Sequence, residues 1–346
     1  MPLISKKDIL KQLKADLIGK DSYRGVTLTY SWLANQFGHF ALGFIPVFLL
    51  YQGLVSGHSH NSAVKWATIS ICVLWPAFES YNFLGPLLLK KSTKHVKLNA
   101  DKSYTFQPDW KNVGFDTITD VGYFWLGSLS ASVIIGFNWI VLLVLISDAI
   151  LLLYPSYYWF TTKMFLQAAQ YPSQYRLSQW NFPLDDAGKK TVQQFLKEKD
   201  KGKHVLLFGA KGSGKTSLGI GIGTEMSIKR RSCSYTTSMK LFSLFFENEA
   251  AQNNLWSWRN ASLLIIDDVN PGYPILKDLV TPSMFLNFID TLERNDTNRE
   301  TIRQKNTIWV LGNEDGEEEV LNGWKKMLEE IGIKHENILP LNLGMS

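Results

Sequence analysis

Residues 25–64 contain no Asp, Glu, Lys or Arg, and neither do residues 121–147. A domain dissolved in water cannot leave such lengths of chain uncharged, whereas a helix crossing the hydrocarbon layer requires about 20 apolar residues. Four apolar segments follow from this: residues 32–55, 64–84, 116–136 and 138–160. The last two are fused into a stretch too long for one span, and Gly136-Phe137-Asn138 is expected to make a tight hairpin between them. Trp32, Tyr81, Tyr123, Trp125, Trp139 and Tyr154 stand near segment ends, where interfacial aromatics belong. Past residue 175 the chain becomes charge-rich, so the overall 19% of charged residues averages two dissimilar halves. The expectation is an N-terminal α-helical transmembrane bundle of four spans, residues 32–160. A basic amphipathic segment, 1–31, precedes it. A connector, 161–184, and a soluble domain, 185–346, follow it.

Lysine placement gives an orientation. The segment before the first span is basic, and the loop at 56–61 carries no Lys or Arg. The loop after the second span holds Lys90, Lys91, Lys94, Lys97, Lys102 and Lys111. The positive-inside rule then puts both termini and the middle loop in the cytoplasm, with the lipid bilayer as first partner. The net charge of +5 has this explanation before a nucleic-acid one. The first apolar run begins after a polar segment, so the anchor is expected to be retained and not cleaved. Glu79, Asp116, Asp120 and Asp148 lie within or near the spans. The first three can sit at the cytoplasmic interface, and Asp148 is the deepest, a candidate inter-helix contact or polar pathway. Cys72 and Cys233 fit no metal or disulfide spacing, and His58 with His60 is not by itself a site.

The soluble half is organised around Gly209-Ala210-Lys211-Gly212-Ser213-Gly214-Lys215-Thr216, which fits G-x-x-x-x-G-K-[ST]. An apolar run, Val205–Phe208, precedes it as a strand, and Ser217-Leu218-Gly219-Ile220 opens a helix. In such a loop the glycines turn backbone N–H groups inward onto phosphate oxygens, and the helix N-terminus adds partial positive charge. Residues 209–217 are therefore expected to hold a nucleotide, Lys215 reaching the β- and γ-phosphates and Thr216 a Mg²⁺ ion. A second run, Ser262–Ile266, ends in Asp267-Asp268, a buried parallel strand delivering carboxylates to its C-terminal edge. Asp267 is expected to hold Mg²⁺, directly or through water, and Asp268 to polarise the attacking water, although a buried strand followed by a capping aspartate has the same appearance. A third strand, Thr307–Leu311, leads to Asn313, which lands beside Asp267 if the two strands are neighbours. It then holds the water or senses the γ-phosphate, or is simply a turn asparagine. With strands at 232–236 and 338–343, five short strands alternating with helices predict a three-layer α/β domain on a mainly parallel sheet.

The run Ser234–Leu244, the acidic Asp267-Asp268, and the helix Met284–Arg294 with the strand to Asn313 resemble the replication-initiator and helicase-loader clade of AAA+ ATPases. The resemblance covers about residues 185–343. It implies phosphate and Mg²⁺ binding at Lys215 and Thr216, metal and water roles for Asp267 and Asp268, and a first-sensor role for Asn313. With the apolar spans, the expected location is the bacterial inner membrane. No arginine follows Arg303, so the clade's arginine finger has no match, and Lys325 or Lys326 would substitute poorly. A partner protein or a second copy is then expected to complete the ATP site. ATP is favoured over GTP because Asn313 is followed by Glu314-Asp315-Gly316 and not by a guanine-reading N-K-x-D motif. Three readings follow: an ATPase moving its membrane helices or a partner, a low-turnover ATP-dependent sensor or effector, and a membrane-tethered nucleic-acid loader. For the last, Lys229-Arg230-Arg231 only begins to supply a basic face. The segment Asn270–Pro274, directly after the acidic strand, could relay nucleotide state.

Overall fold

The computed structural model describes residues 5–17, 26–90, 105–197, 202–246, 256–269, 279–290, 295–311 and 318–343. The chain divides into two units. One holds Lys11–Ser103 and Pro108–Lys163; the other holds Met1–Leu10, Tyr104–Gln107 and Met164–Ser346. The basic N-terminal segment forms a helix, α1, at Lys6–Leu17.

The first unit is helical. Its long helices are α2 (Leu28–Leu54), α3 (His60–Lys90), α4 (Trp110–Ile135) and α5 (Trp139–Ala168). Three of them, α2, α4 and α5, are long and apolar enough to cross a membrane. Helix α3, where the second span was expected, falls short of that apolarity. Lys65 and Glu79 stand within it, with Ser, Asn and Tyr around Glu79 diluting the Ile, Val and Leu of its centre. The Gly136–Asn138 hairpin is present, with Gly136 closing α4 by donating to Ser132 O at 2.9 Å.

Helices α2 and α4 cross at two glycines. A Cβ on Gly43 would sit 2.1 Å from Phe124 O, and one on Gly127 would sit 2.0 Å from Phe40 O. Ser128, one residue beyond Gly127, donates to Gly43 O at 3.3 Å. Small residues at a crossing let two backbones touch, which is how helices adhere where no hydrophobic effect acts between them. On the same pair of helices, Gln36 Nε2 donates to Asp120 Oδ1 at 2.8 Å, and His39 Nδ1 lies 3.2 Å from that oxygen. Asp120 is thus paired across the two helices. Glu79 is buried and accepts from Asn82 Nδ2 at 3.3 Å. Asp148 Oδ2 is buried and lacks a hydrogen-bond partner among the described residues.

The second unit is built on five parallel strands in the order β2-β3-β4-β1-β5. They are β1 (His204–Phe208), β2 (Cys233–Thr237), β3 (Leu263–Asp267), β4 (Asn306–Val310) and β5 (Ile338–Asn342). Strands β1, β3 and β4 are near-continuous apolar runs, as strands covered on both faces must be. Alternation then assigns the faces. Leu206, Leu264, Ile266 and Trp309 pack with α8 (Ser238–Phe245), α9 (Pro282–Asp290), α10 (Asn295–Arg303) and α11 (Glu318–Glu330). Val205, Leu207, Ile265, Ile308 and Val310 pack with α6 (Asp186–Lys197) and α7 (Lys215–Ile228). The result is the expected three-layer α/β arrangement. Asp185 Oδ1 accepts from Gly188 N at 2.8 Å and so caps α6.

The residues expected to form a connector do more than connect. Ala169, Leu177 and Trp180 are buried on the α7 face of the sheet, with Tyr171, Tyr175 and Phe182 packed around them. Phe106, from the loop between α3 and α4, joins the same cluster, its ring 5.9 Å from that of Trp180.

On the opposite face His204 is fully buried, and its Nδ1 accepts from Trp309 Nε1 at 3.1 Å. Burial lowers its pKa from 6.5 to about 3. The unfolded chain therefore binds a proton that the folded chain refuses between these values. Stability from this group is complete above pH 6.5 and lost as pH falls toward 3, by about 1.4 kcal/mol per pH unit. We expect denaturant midpoints of His204→Gln to fall less steeply than wild type over that window; parallel curves would refute this.

Candidate nucleotide site

Strand β1 delivers the chain into the glycine loop, and the turn is enforced from outside. Gly209 has φ +132, and a Cβ there would meet Leu343 O at 2.8 Å, because Leu343 N donates to Phe208 O alongside. Gly214 has φ +83 and is the N-cap of α7. A Cβ on it would lie 2.6 Å from the Phe182 ring, and Trp180 Nε1 donates to its carbonyl at 2.9 Å. A side chain at either glycine would meet both strain and collision. Further along α7, Gly221 and Gly223 let the helix lie against Leu177 and Tyr171.

Lys215 arches back over the loop, its Nζ donating to Gly209 O at 2.7 Å and Ala210 O at 3.0 Å. Burial lowers its pKa, and the charge of Asp267 opposes that shift. Ser217 Oγ donates to Gly214 O at 3.0 Å, while Lys211 and Gly212 are exposed. Ser213 Oγ is buried with no hydrogen-bond partner among the described residues. No side chain caps the N-terminus of α7. The head of α7 thus has no side-chain cap, and the Ser213 hydroxyl and the Lys215 ammonium stand beside it, an arrangement that suits an anion.

The acidic strand meets this loop. Asp267, at the end of β3, is 2% exposed. Thr216 Oγ1 donates to its Oδ1 at 3.1 Å, and Asp268 N donates to the same oxygen at 2.8 Å. Tyr235 Oη donates to Oδ2 at 2.7 Å. Burial, and then the bond to Asp267, hold the Tyr235 hydroxyl protonated well above its ordinary range. Asp268 is exposed, and burial around its carboxyl together with the charge of Asp267 raise its pKa. Its φ of 54 is left-handed, a conformation asparagine and aspartate tolerate better than most residues.

Thr216 Oγ1 and Asp267 Oδ1 are bonded to each other at 3.1 Å; both are oxygen donors of the type a hard divalent cation takes, although among the described residues no group of three His, Cys, Asp or Glu gathers. Strand β3 does neighbour β4, but Asn313 and the segment Asn270–Pro274 lie outside the described residues. The site also contains residues that sequence reasoning passed over. Trp180 and Phe182 stood in what read as a connector, and Tyr235 only within a resembling strand. Its parity with Asp267 on paired strands was the one available signal.

No family model and no curated protein matches this chain. Among solved structures, the crystal structure of DnaI is similar at 17% identity and a TM-score of 0.30, over 50% of this chain and 89% of that one.

Proposed function

We propose that the chain is a membrane-anchored ATPase that binds Mg·ATP at the glycine loop and couples binding or hydrolysis to its membrane helices or to a partner. The observation that carries this reading is the convergence of Lys215, Thr216 and Asp267 at the uncapped head of α7. Loop N–H groups and Lys215 would hold the phosphates, and Thr216 and Asp267 would hold a Mg²⁺ ion, which when bound would supply charge neutralisation for phosphoryl transfer. Asp268, with its raised pKa, orients and deprotonates the attacking water. In this reading α3 completes a four-helix anchor with cytoplasmic termini. A second version of this reading is a nucleotide-dependent switch that turns over little until a partner or second copy completes the site.

The test is ATP turnover by the purified protein in detergent beside Asp268→Asn. Asparagine keeps the left-handed backbone and removes the base, so turnover should fall roughly 100-fold or more, with ATP affinity nearly unchanged. Wild-type turnover no higher than the variant's would leave only the switch. Failure of the wild-type protein to bind ATP would sink both versions.

A further inference from the structure

Strands β2 and β3 pair so that Thr237 stands opposite Asp267 and Tyr235 opposite Ile265. Tyr235, Ile265 and Asp267 therefore project from the same side of the sheet, the side covered by α7. Tyr235 lies two residues before the level of Asp267, roughly 6.6 Å along the strand. That offset suits a phenol leaning along its strand, and its hydroxyl reaches Asp267 Oδ2 at 2.7 Å. A shorter side chain at this position could not span the gap.

The two carboxylate oxygens are thereby held differently. Oδ1 receives Thr216 and the Asp268 amide, on the side of the glycine loop. Oδ2 receives the phenol. The carboxylate plane is fixed from both sides, and rotation about χ2 would break bonds at both oxygens. The tyrosine is itself fixed at both ends. Its backbone N–H donates to Ala169 O at 2.9 Å, where the chain leaves α5. The next residue, Gln170, has φ 58, and its Oε1 accepts from Lys240 Nζ at 3.1 Å across the mouth of β2. The edge strand is thus tied down beside the acid it serves.

We infer that Tyr235 is a positioning residue for the metal site: its hydroxyl orients the Asp267 carboxylate so that Oδ1 faces the cation beside Thr216. This rests on the nucleotide-site reading above. Without the phenol, Asp267 keeps its Thr216 contact but gains rotational freedom, which would weaken the hold on a cation that demands near-ideal geometry. The Tyr235 hydroxyl bonds Asp267 and not the glycine loop or Lys215, so metal-free nucleotide binding is expected to be independent of it.

The experiment is equilibrium binding of a fluorescent ATP analogue to the full chain in detergent, titrated with Mg²⁺ and separately in EDTA, for wild type and Tyr235→Phe. Phenylalanine keeps the ring and its packing against Ile265. The expected result is a rise of about 10-fold in the Mg²⁺ concentration giving half-maximal enhancement, within the range seen for partners of metal ligands, with affinity in EDTA unchanged. An unchanged Mg²⁺ dependence overturns the inference and leaves the nucleotide site standing. Equal losses with and without Mg²⁺ also overturn it, since that is the mark of a merely structural tyrosine. Absence of binding by the wild-type chain in either buffer would overturn the nucleotide-site reading itself.

Discussion

Lys215→Ala is expected to reduce affinity for Mg·ATP by about 100-fold or more, measured by calorimetry on the detergent-solubilised chain. The ammonium lies 2.7 Å from Gly209 O and 3.0 Å from Ala210 O, half-buried at the point where the loop turns into α7. Removing one partner of a desolvated charge pair costs about 2–5 kcal/mol, because the other charge loses its compensation. Here the uncompensated charge would be that of the β- and γ-phosphates. Lys215→Arg should not restore binding, since a planar guanidinium cannot reproduce a point charge seated between two adjacent carbonyls. Unchanged circular dichroism would show that the fold survives. Unchanged affinity would remove the basis of the proposed function.

The second large effect lies in the helical unit. Gly43→Leu places a Cβ where Phe124 O stands 2.1 Å away, and this contact is with backbone that no rotamer change relieves. Helices α2 and α4 would have to separate, and the bond from Ser128 Oγ to Gly43 O and the Gln36–Asp120 and His39–Asp120 contacts would be broken with them. A loss of about 3 kcal/mol or more is expected, at the upper end for overpacking, read as a lowered melting temperature in detergent. Gly38→Leu, five residues earlier on the same helix, is the control, since a Cβ at Gly38 meets nothing within 4 Å. Equal melting temperatures for the two variants would contradict the crossing described here.

Much of the candidate site's backbone was legible because its signals are local. The glycine loop is contiguous, and its flanking strand and helix are set by neighbouring residues. The acids at 267 and 268 end an unbroken apolar run, which parallel pairing on both sides requires. The apolar segments were equally plain, being matters of composition, although α3 was harder to read because polar residues interrupt it. The residues that brace the site were less legible. Trp180 in a stretch containing Gln, Ser and Pro looked like linker, and nothing local indicated that its indole would close on Gly214.

The sequence by itself determined which segments become strands and apolar helices, where the glycine loop turns, and which carboxylates leave the sheet. Those properties depend on hydrogen-bond periodicity, side-chain polarity and backbone freedom within a few residues. The tertiary structure alone decided the partners: Trp180 with Gly214 across 34 positions, Tyr235 with Asp267 across 32, and Gln36 with Asp120 across 84. A hydroxyl or indole finds its acceptor only after strand order and helix crossing have fixed the distances. That geometry, which no local pattern encodes, braces the glycine loop from outside.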